Sequence, residues 1–117
     1  LNFLKSLRPI YNPLNSYLAE RRYDNASAKF TELTKIARCL PRTDVLKEEN
    51  NYWKGVCKSL IFRFPDDLEI LLIPNNKSKN ISKGIIQVRS SSRIGQSDLG
   101  VNKKRVINLF KQLEKNN

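Results

Sequence analysis

The chain has 117 residues, 39% of them hydrophobic and 9% aromatic, which is enough for one buried core and too little for two. Its 22 lysines and arginines face 11 acids, a net charge of +11 spread along the whole length that favours acidic partners: nucleic acid, an anionic membrane surface or the acidic face of a protein complex. Histidine is absent, which excludes serine–histidine, cysteine–histidine and histidine–metal chemistry, and no apolar run approaches the roughly 20 residues of a bilayer-spanning helix.

Residues 1–24 read as an N-terminal arm. Its apolar anchors (Leu7, Ile10, Leu14 and Leu18 among them) are interrupted by Pro9 and Pro13, so the expectation is short helical turns, one of them over 14–21, and not one continuous helix. Such an arm packs across its own domain, or alternatively docks on a partner or lies on a headgroup surface through Phe3, Arg8, Tyr11 and Tyr17.

Residues 25–117 read as a single α+β domain. Ala26, Phe30, Leu33, Ala37 and Leu40 recur at spacings of four and three, which predicts a helix over 25–40, capped by Asp24 or Asn25 and ended by Pro41. A short strand over 43–48, a turn over 49–51 and a long β-rich run over 52–64 follow, and Val56, Leu60, Phe62 and Phe64 share one face of that run. Pro65, Asp66 and Asp67 break it before a strand over 68–73. Residues 75–83 form an exposed polar loop carrying Lys77, Lys79 and Lys83, and a last strand covers 84–90. Leu99, Val106, Phe110 and Leu113 mark a final helix that starts at 99 or 101 and reaches 115, with Asp98 as its N-cap. Four strands joined by short connections pair as an antiparallel meander, and the N-terminal and C-terminal helices pack on it as a two-layer sandwich. Cys39 and Cys57 are too few for a disulfide framework; two buried free thiols are expected, a bridge being the alternative.

The run Arg89-Ser90-Ser91-Ser92-Arg93-Ile94-Gly95-Gln96-Ser97-Asp98-Leu99-Gly100-Val101-Asn102-Lys103-Lys104-Arg105 closely resembles the signature of the domain-of-unknown-function family 1499. Phe62-Arg63-Phe64-Pro65-Asp66-Asp67-Leu68-Glu69 resembles a second block of that family at the expected distance upstream, and the likeness covers about residues 27–113. The variant Tyr52-Trp53-Lys54-Gly55-Val56-Cys57 is most similar to members from photosynthetic organisms, which implies a plastid, thylakoid-associated protein or its cyanobacterial equivalent, and the start at Leu1 leads to the expectation that a leader, or alternatively an earlier stretch of chain, precedes it. A histidine that many bacterial members carry after the tyrosine matched by Tyr52 is missing here, so histidine-based chemistry is not implied.

Antiparallel pairing brings the two blocks together, which predicts a cluster of Asp66, Asp67, Glu69, Arg89, Ser90, Ser92, Arg93, Ser97, Asp98, Asn102 and Arg105. One reading is a charge network that fixes the loop leading into the last helix. The other is an anion site in the loop over 89–98, with Lys103 and Arg105 adding charge. Catalysis is not expected: Ser90 to Ser92 lack an activating base, Asp66 and Asp67 stand among arginines that hold both ionised, and neighbouring acids in a strand point to opposite faces. No metal and no cofactor is implied. The expected function is a non-catalytic assembly or interaction subunit, peripheral to a photosystem core, antenna or other thylakoid complex. The alternatives are an anion-binding module, or a ribosome- or nucleic-acid-associated protein that uses its lysine-rich loop and the last helix.

Overall fold

The computed structural model describes residues 6–75 and 82–115, which form five strands and two helices. In chain order these are β1 (Ser16–Tyr23), α1 (Ala26–Arg38), β2 (Thr43–Glu48), β3 (Tyr52–Lys58), β4 (Pro65–Pro74), β5 (Gly84–Ser92) and α2 (Val101–Lys115). The strands make one sheet in the order β1-β5-β4-β3-β2, with every neighbouring pair antiparallel. The meander from β2 to β5 is therefore as expected, and both helices lie on one face of it.

A fifth strand corrects the expected four. Residues 14–21, read as a helical piece of the arm, enter β1, which pairs along its whole length with β5 from Ser16 opposite Ser91 to Tyr23 opposite Gly84. Tyr17, Ala19 and Tyr23 alternate toward the helices while Leu18, Glu20 and Arg22 take the other parity, a period of two that only a strand satisfies. Both prolines lie upstream of the strand and leave its ladder intact.

A second correction concerns 52–67. β3 ends at Lys58, and the chain turns over 59–64, where the Ser59 N–H donates to the Phe64 carbonyl at 3.1 Å and the Phe64 N–H donates to Ser59 Oγ at 2.9 Å. Leu60, Ile61, Phe62 and Phe64 are consequently exposed and share no strand face. Pro65, Asp66 and Asp67 begin β4 and do not break a strand; a proline at the first position removes no ladder donor the sheet needs. β5 runs two residues beyond 90, to Ser92.

Between helices and sheet, Phe30, Leu33 and Ala37 of α1 and Val106, Leu109, Phe110 and Leu113 of α2 close on Trp53, Leu68, Ile70, Ile86 and Val88. Cys57 is buried in this core, whereas Cys39, at the C-cap of α1, is exposed, and both thiols are free. Asn25 occupies the N-cap of α1 but makes no side-chain capping bond. The other face of the sheet is crossed by the arm: Leu7 is buried there, its N–H donating to Gln87 Oε1 at 2.8 Å.

Trp53, the single tryptophan, lies over Gly55 so closely that a Cβ at 55 would stand 2.6 Å from its Cη2 and 3.1 Å from the Asp44 carbonyl. Neither obstacle can yield, one being a buried ring and the other backbone. Gly55→Ala is expected to destabilise the domain by about 1–3 kcal/mol, the range of an overpacked core, and to change the native Trp53 emission, both read in urea unfolding followed by fluorescence.

Candidate functional site

The register of β4 with β5 sets Asp66 opposite Ser92, Asp67 opposite Ser91, Leu68 opposite Ser90 and Glu69 opposite Arg89. Because side chains alternate, Asp66, Ser90 and Ser92 share the face covered by helices, and Asp67, Glu69 and Arg89 share the face crossed by the arm. The predicted cluster is therefore two networks, one on each side of the sheet.

On the helix side the centre is Asn102, in the first turn of α2 and fully buried. Its Oδ1 accepts from Ser90 Oγ at 2.6 Å and from Arg105 Nη1 at 2.9 Å. Its Nδ2 donates to the Asn15 carbonyl at 2.9 Å, to Ser92 Oγ at 2.9 Å and to Asp98 Oδ2 at 2.6 Å, two protons shared among three acceptors. Arg105 Nη1 also reaches Asp66 Oδ2 at 2.9 Å and Ser90 Oγ at 3.0 Å. Arg105 and Asp66 are thus a largely buried ion pair whose attraction is supplemented by neutral hydrogen bonds, the condition under which such a pair offsets its desolvation.

Asp98 closes the start of α2, its Oδ1 accepting the Gly100 N–H at 2.8 Å and its Oδ2 the Asn102 N–H at 3.1 Å. The turn needs positive φ at Leu99 and Gly100. Burial opposes ionisation of Asp98, but the Asn102 amide and the backbone N–H groups outweigh it and hold the carboxyl below its ordinary pKa. The loop from 93 to 98 is tied down elsewhere too: Asn12 Nδ2 donates to the Gln96 carbonyl, Asn15 Nδ2 to the Gly95 carbonyl, the Asp98 N–H to the Leu14 carbonyl and the Arg93 N–H to the Pro65 carbonyl. Ser97 joins neither network; its hydroxyl accepts only the Leu99 N–H, at 3.4 Å.

On the arm side, Arg93 grips Asp67 with Nε 3.1 and 3.0 Å from the two carboxylate oxygens and Nη2 2.8 Å from Oδ1. Glu69 accepts the Tyr52 hydroxyl at 2.6 Å through Oε2, while Oε1 faces Arg89 Nη1 at 3.7 Å and Arg8 Nη2 at 4.0 Å. Burial and the bond to Glu69 push the Tyr52 hydroxyl well above its ordinary pKa, so it stays a donor. Arg89 Nε donates to the Arg8 carbonyl at 3.0 Å, and Gln87 accepts the Leu7 N–H while donating to Glu20. This network clamps the arm to the sheet.

Of the residues expected to touch a partner, Tyr11 is exposed, Arg8 is exposed but faces Glu69, and Lys83 lies 3.9 Å from Asp24. Tyr17 is directed inward, packed on the core with Lys103 over its ring. Phe3, Lys77 and Lys79 lie outside the described residues. Gln87, Asn15 and Tyr52 belong to the networks without having been predicted. For Gln87 a signal existed, since it shares strand parity with Arg89, but Asn15 acts on the loop through its side chain and on Asn102 through its carbonyl, which no local pattern encodes. Among the described residues no group of three or more cysteine, aspartate or glutamate side chains could hold a metal ion, and no helix is long and apolar enough to cross a membrane.

Fold and site together define a two-layer α+β domain whose signature residues bind one another across both faces of an antiparallel sheet. The chain belongs to the family described as protein of unknown function (DUF1499), whose family model matches residues 5–113. The match takes in β1 and the arm from residue 5, further than the expected 27–113. No curated protein matches the chain.

Two outcomes follow from the helix-side network. Asn102→Ala removes the acceptor of the buried Ser90 hydroxyl and one partner each from Arg105, Ser92, Asp98 and the Asn15 carbonyl, and is expected to lower unfolding free energy by about 3 kcal/mol, whereas Ser97→Ala in the exposed loop should stay within about 0.5 kcal/mol, both by chemical denaturation. Since the Asp98 carboxyl is depressed in the fold, its contribution is complete above the ordinary value of 3.8 and is lost as pH falls through the lower folded value. Asp98 is not the expected N-cap, since α2 begins at Val101 and Gly100 precedes it; Asp98→Asn keeps a side-chain acceptor for the amides at the helix start and removes the charge, so its stability deficit relative to wild type, measured by thermal melts across pH, should shrink as pH drops below 3.8.

Proposed function

We propose that this domain is a non-catalytic interaction module, an assembly subunit that sits at the periphery of a larger complex. The observation that carries the reading is the internal commitment of the signature residues: Asp66 to Arg105, Asp67 to Arg93, Glu69 to Tyr52 and Arg89, and Asn102 to five partners. Groups engaged in this way give a loop and a helix their position; of the carboxylate oxygens, Glu69 Oε1 is buried and lacks a hydrogen bond, facing Arg89 and Arg8 as ion pairs. The anion reading of the loop is weakened by the same geometry, because Asp98 takes the amides at the start of α2 and Arg89, Arg93 and Arg105 of the run over 89–105 already face carboxylates. The net charge of +11 supports an acidic partner. A thylakoid complex as that partner rests on the likeness of the segment from Tyr52 to Cys57 to photosynthetic members of the family.

Native co-purification tests the proposal. The tagged full chain is expected to leave the membranes of its source with a large protein complex, and to do so equally after the joint exchange Asp67→Asn and Arg93→Gln, which removes the exposed ion pair at the price of a slightly lower melting temperature. Recovery as a free monomer, or sedimentation with ribosomes, would reject it.

A further inference from the structure

We propose that the end of the sheet where β3 turns into β4 and β5 passes into α2 is a docking surface for an anionic lipid bilayer. Among the described residues, the large hydrophobic side chains left exposed are concentrated there; only Val45 and Leu46, on the edge strand β2, lie elsewhere. The hairpin tip presents Leu60, Ile61, Phe62 and Phe64, the first three at least 69% exposed, and the neighbouring loop adds Ile94 and Leu99, the latter 91% exposed. Segment 11–14, hydrogen-bonded to that loop, adds two more. A hairpin tip whose only task is to reverse the chain is ordinarily polar, and apolar side chains gathered at one end of a domain mark a contact surface.

The tip is also fixed in shape. Ser59 bonds Phe64 through both its N–H and its hydroxyl, Arg63 holds a left-handed backbone with φ of 59°, and the Phe62 and Phe64 rings stack with centroids 5.4 Å apart, on each other and not on the core. A preformed loop loses little conformational freedom on contact.

Charge selects the partner. The carboxylates at this end are each engaged: Asp44 with Lys58, Asp66 with Arg105, Asp67 with Arg93, and Asp98 with the amides of α2. Arg42, whose Nε donates to the Lys58 carbonyl at the base of the hairpin, Arg63 within its tip, and Lys103 and Lys104 in the first turn of α2 belong to the same end, and among the described residues none of the four has a carboxylate within ion-pair distance. Exposed apolar loop tips with unpaired cations at the same end fit a bilayer interface, where phenylalanine and leucine enter the acyl boundary and arginine and lysine stay among anionic headgroups. A protein partner would have to supply a cavity for two separate loops as well as the acidic rim; a bilayer accommodates both loops at once.

Co-sedimentation of the full chain with vesicles of phosphatidylcholine alone, and of phosphatidylcholine mixed with phosphatidylglycerol, tests the inference. Attraction of so basic a protein to anionic vesicles is not sufficient by itself, so the decisive arm is Phe62→Ser with Phe64→Ser. These side chains are exposed, and melting should be unchanged, but binding to the mixed vesicles should fall about tenfold or more, beyond what added salt accounts for. A second variant, Ile61→Trp, should shift its emission to the blue on mixed vesicles only. No binding to mixed vesicles, equal binding by the serine variant, or an Ile61→Trp emission that does not move would each overturn the inference, as would loss of an acidic protein partner by the serine variant in a chain that binds no vesicle. Failure here and failure of the assembly reading are separable, because vesicle binding needs no complex and co-purification in detergent needs no bilayer.

Discussion

The carboxamide of Asn102 is the constraint on which the rest of the molecule depends. It joins four pieces of chain: β5 through Ser90 and Ser92, the approach to β1 through the Asn15 carbonyl, the turn before α2 through Asp98, and β4 through Arg105 and its partner Asp66. Apolar packing alone would let the last helix slide along the sheet at modest cost. A buried amide with fixed donors and acceptors does not, because any shift strands groups that are costly to leave unpaired. The same group fixes register. Slipping β5 by one residue would send Ser90 and Val88 to the opposite face and put Arg89 against Leu68 and Val106 of the core.

Strand alternation explains why two adjacent acids are needed. Asp66 faces the helices and compensates Arg105, while Asp67, one residue later, faces away and holds Arg93 at the point where the chain leaves the sheet. Glu69 continues the second parity and, with Arg89 and Gln87, gives the arm a polar bed on a face that no helix covers. A face lined by such groups would be poor core on its own. With Leu7 laid over its centre, Gln87 and Arg89 pair with backbone of the arm.

Much of this was legible in the sequence, and the parts that were not share a cause. α1 and α2 announce themselves through spacings of three and four and through Pro41 and Asp98, all local signals. The meander from β2 to β5 follows from short connections. β1 was hidden because prolines at 9 and 13 and tyrosines at 11, 17 and 23 resemble an irregular arm; its strand character comes from pairing with β5, which is remote in sequence. The segment 59–64 misled in the opposite direction. Leu60, Ile61, Phe62 and Phe64 have strong strand preference, yet Asp66 must stand opposite both Cys57 and Ser92, so the chain has to reverse before it. Apolar periodicity measures what could be buried, and says nothing of what a surface keeps exposed. In the site, charged residues were visible as pairs, whereas the contributions of Asn15, Gln87 and Tyr52 arise only when the arm and the sheet meet.

The concentration of specific bonds at one end of the sheet has a physical rationale in what that end presents. The loop over 93–100 begins at a strand clasped by Arg93 and Asp67 and finishes at a helix anchored by Asp98 and Asn102, and two asparagines of the arm hold its middle. The hairpin tip leaves β3 and re-enters at Pro65, whose carbonyl accepts the Arg93 amide, so the two loops are tied to each other at their base. Exposed Phe62, Phe64, Ile94 and Leu99 on mobile loops would collapse onto the nearest apolar surface or recruit other chains. Held from both sides, they stay outward and apart. The polar networks and the apolar tips are thus two halves of one arrangement: the buried bonds fix the loops, and the fixed loops keep an apolar surface exposed in a small, highly charged domain.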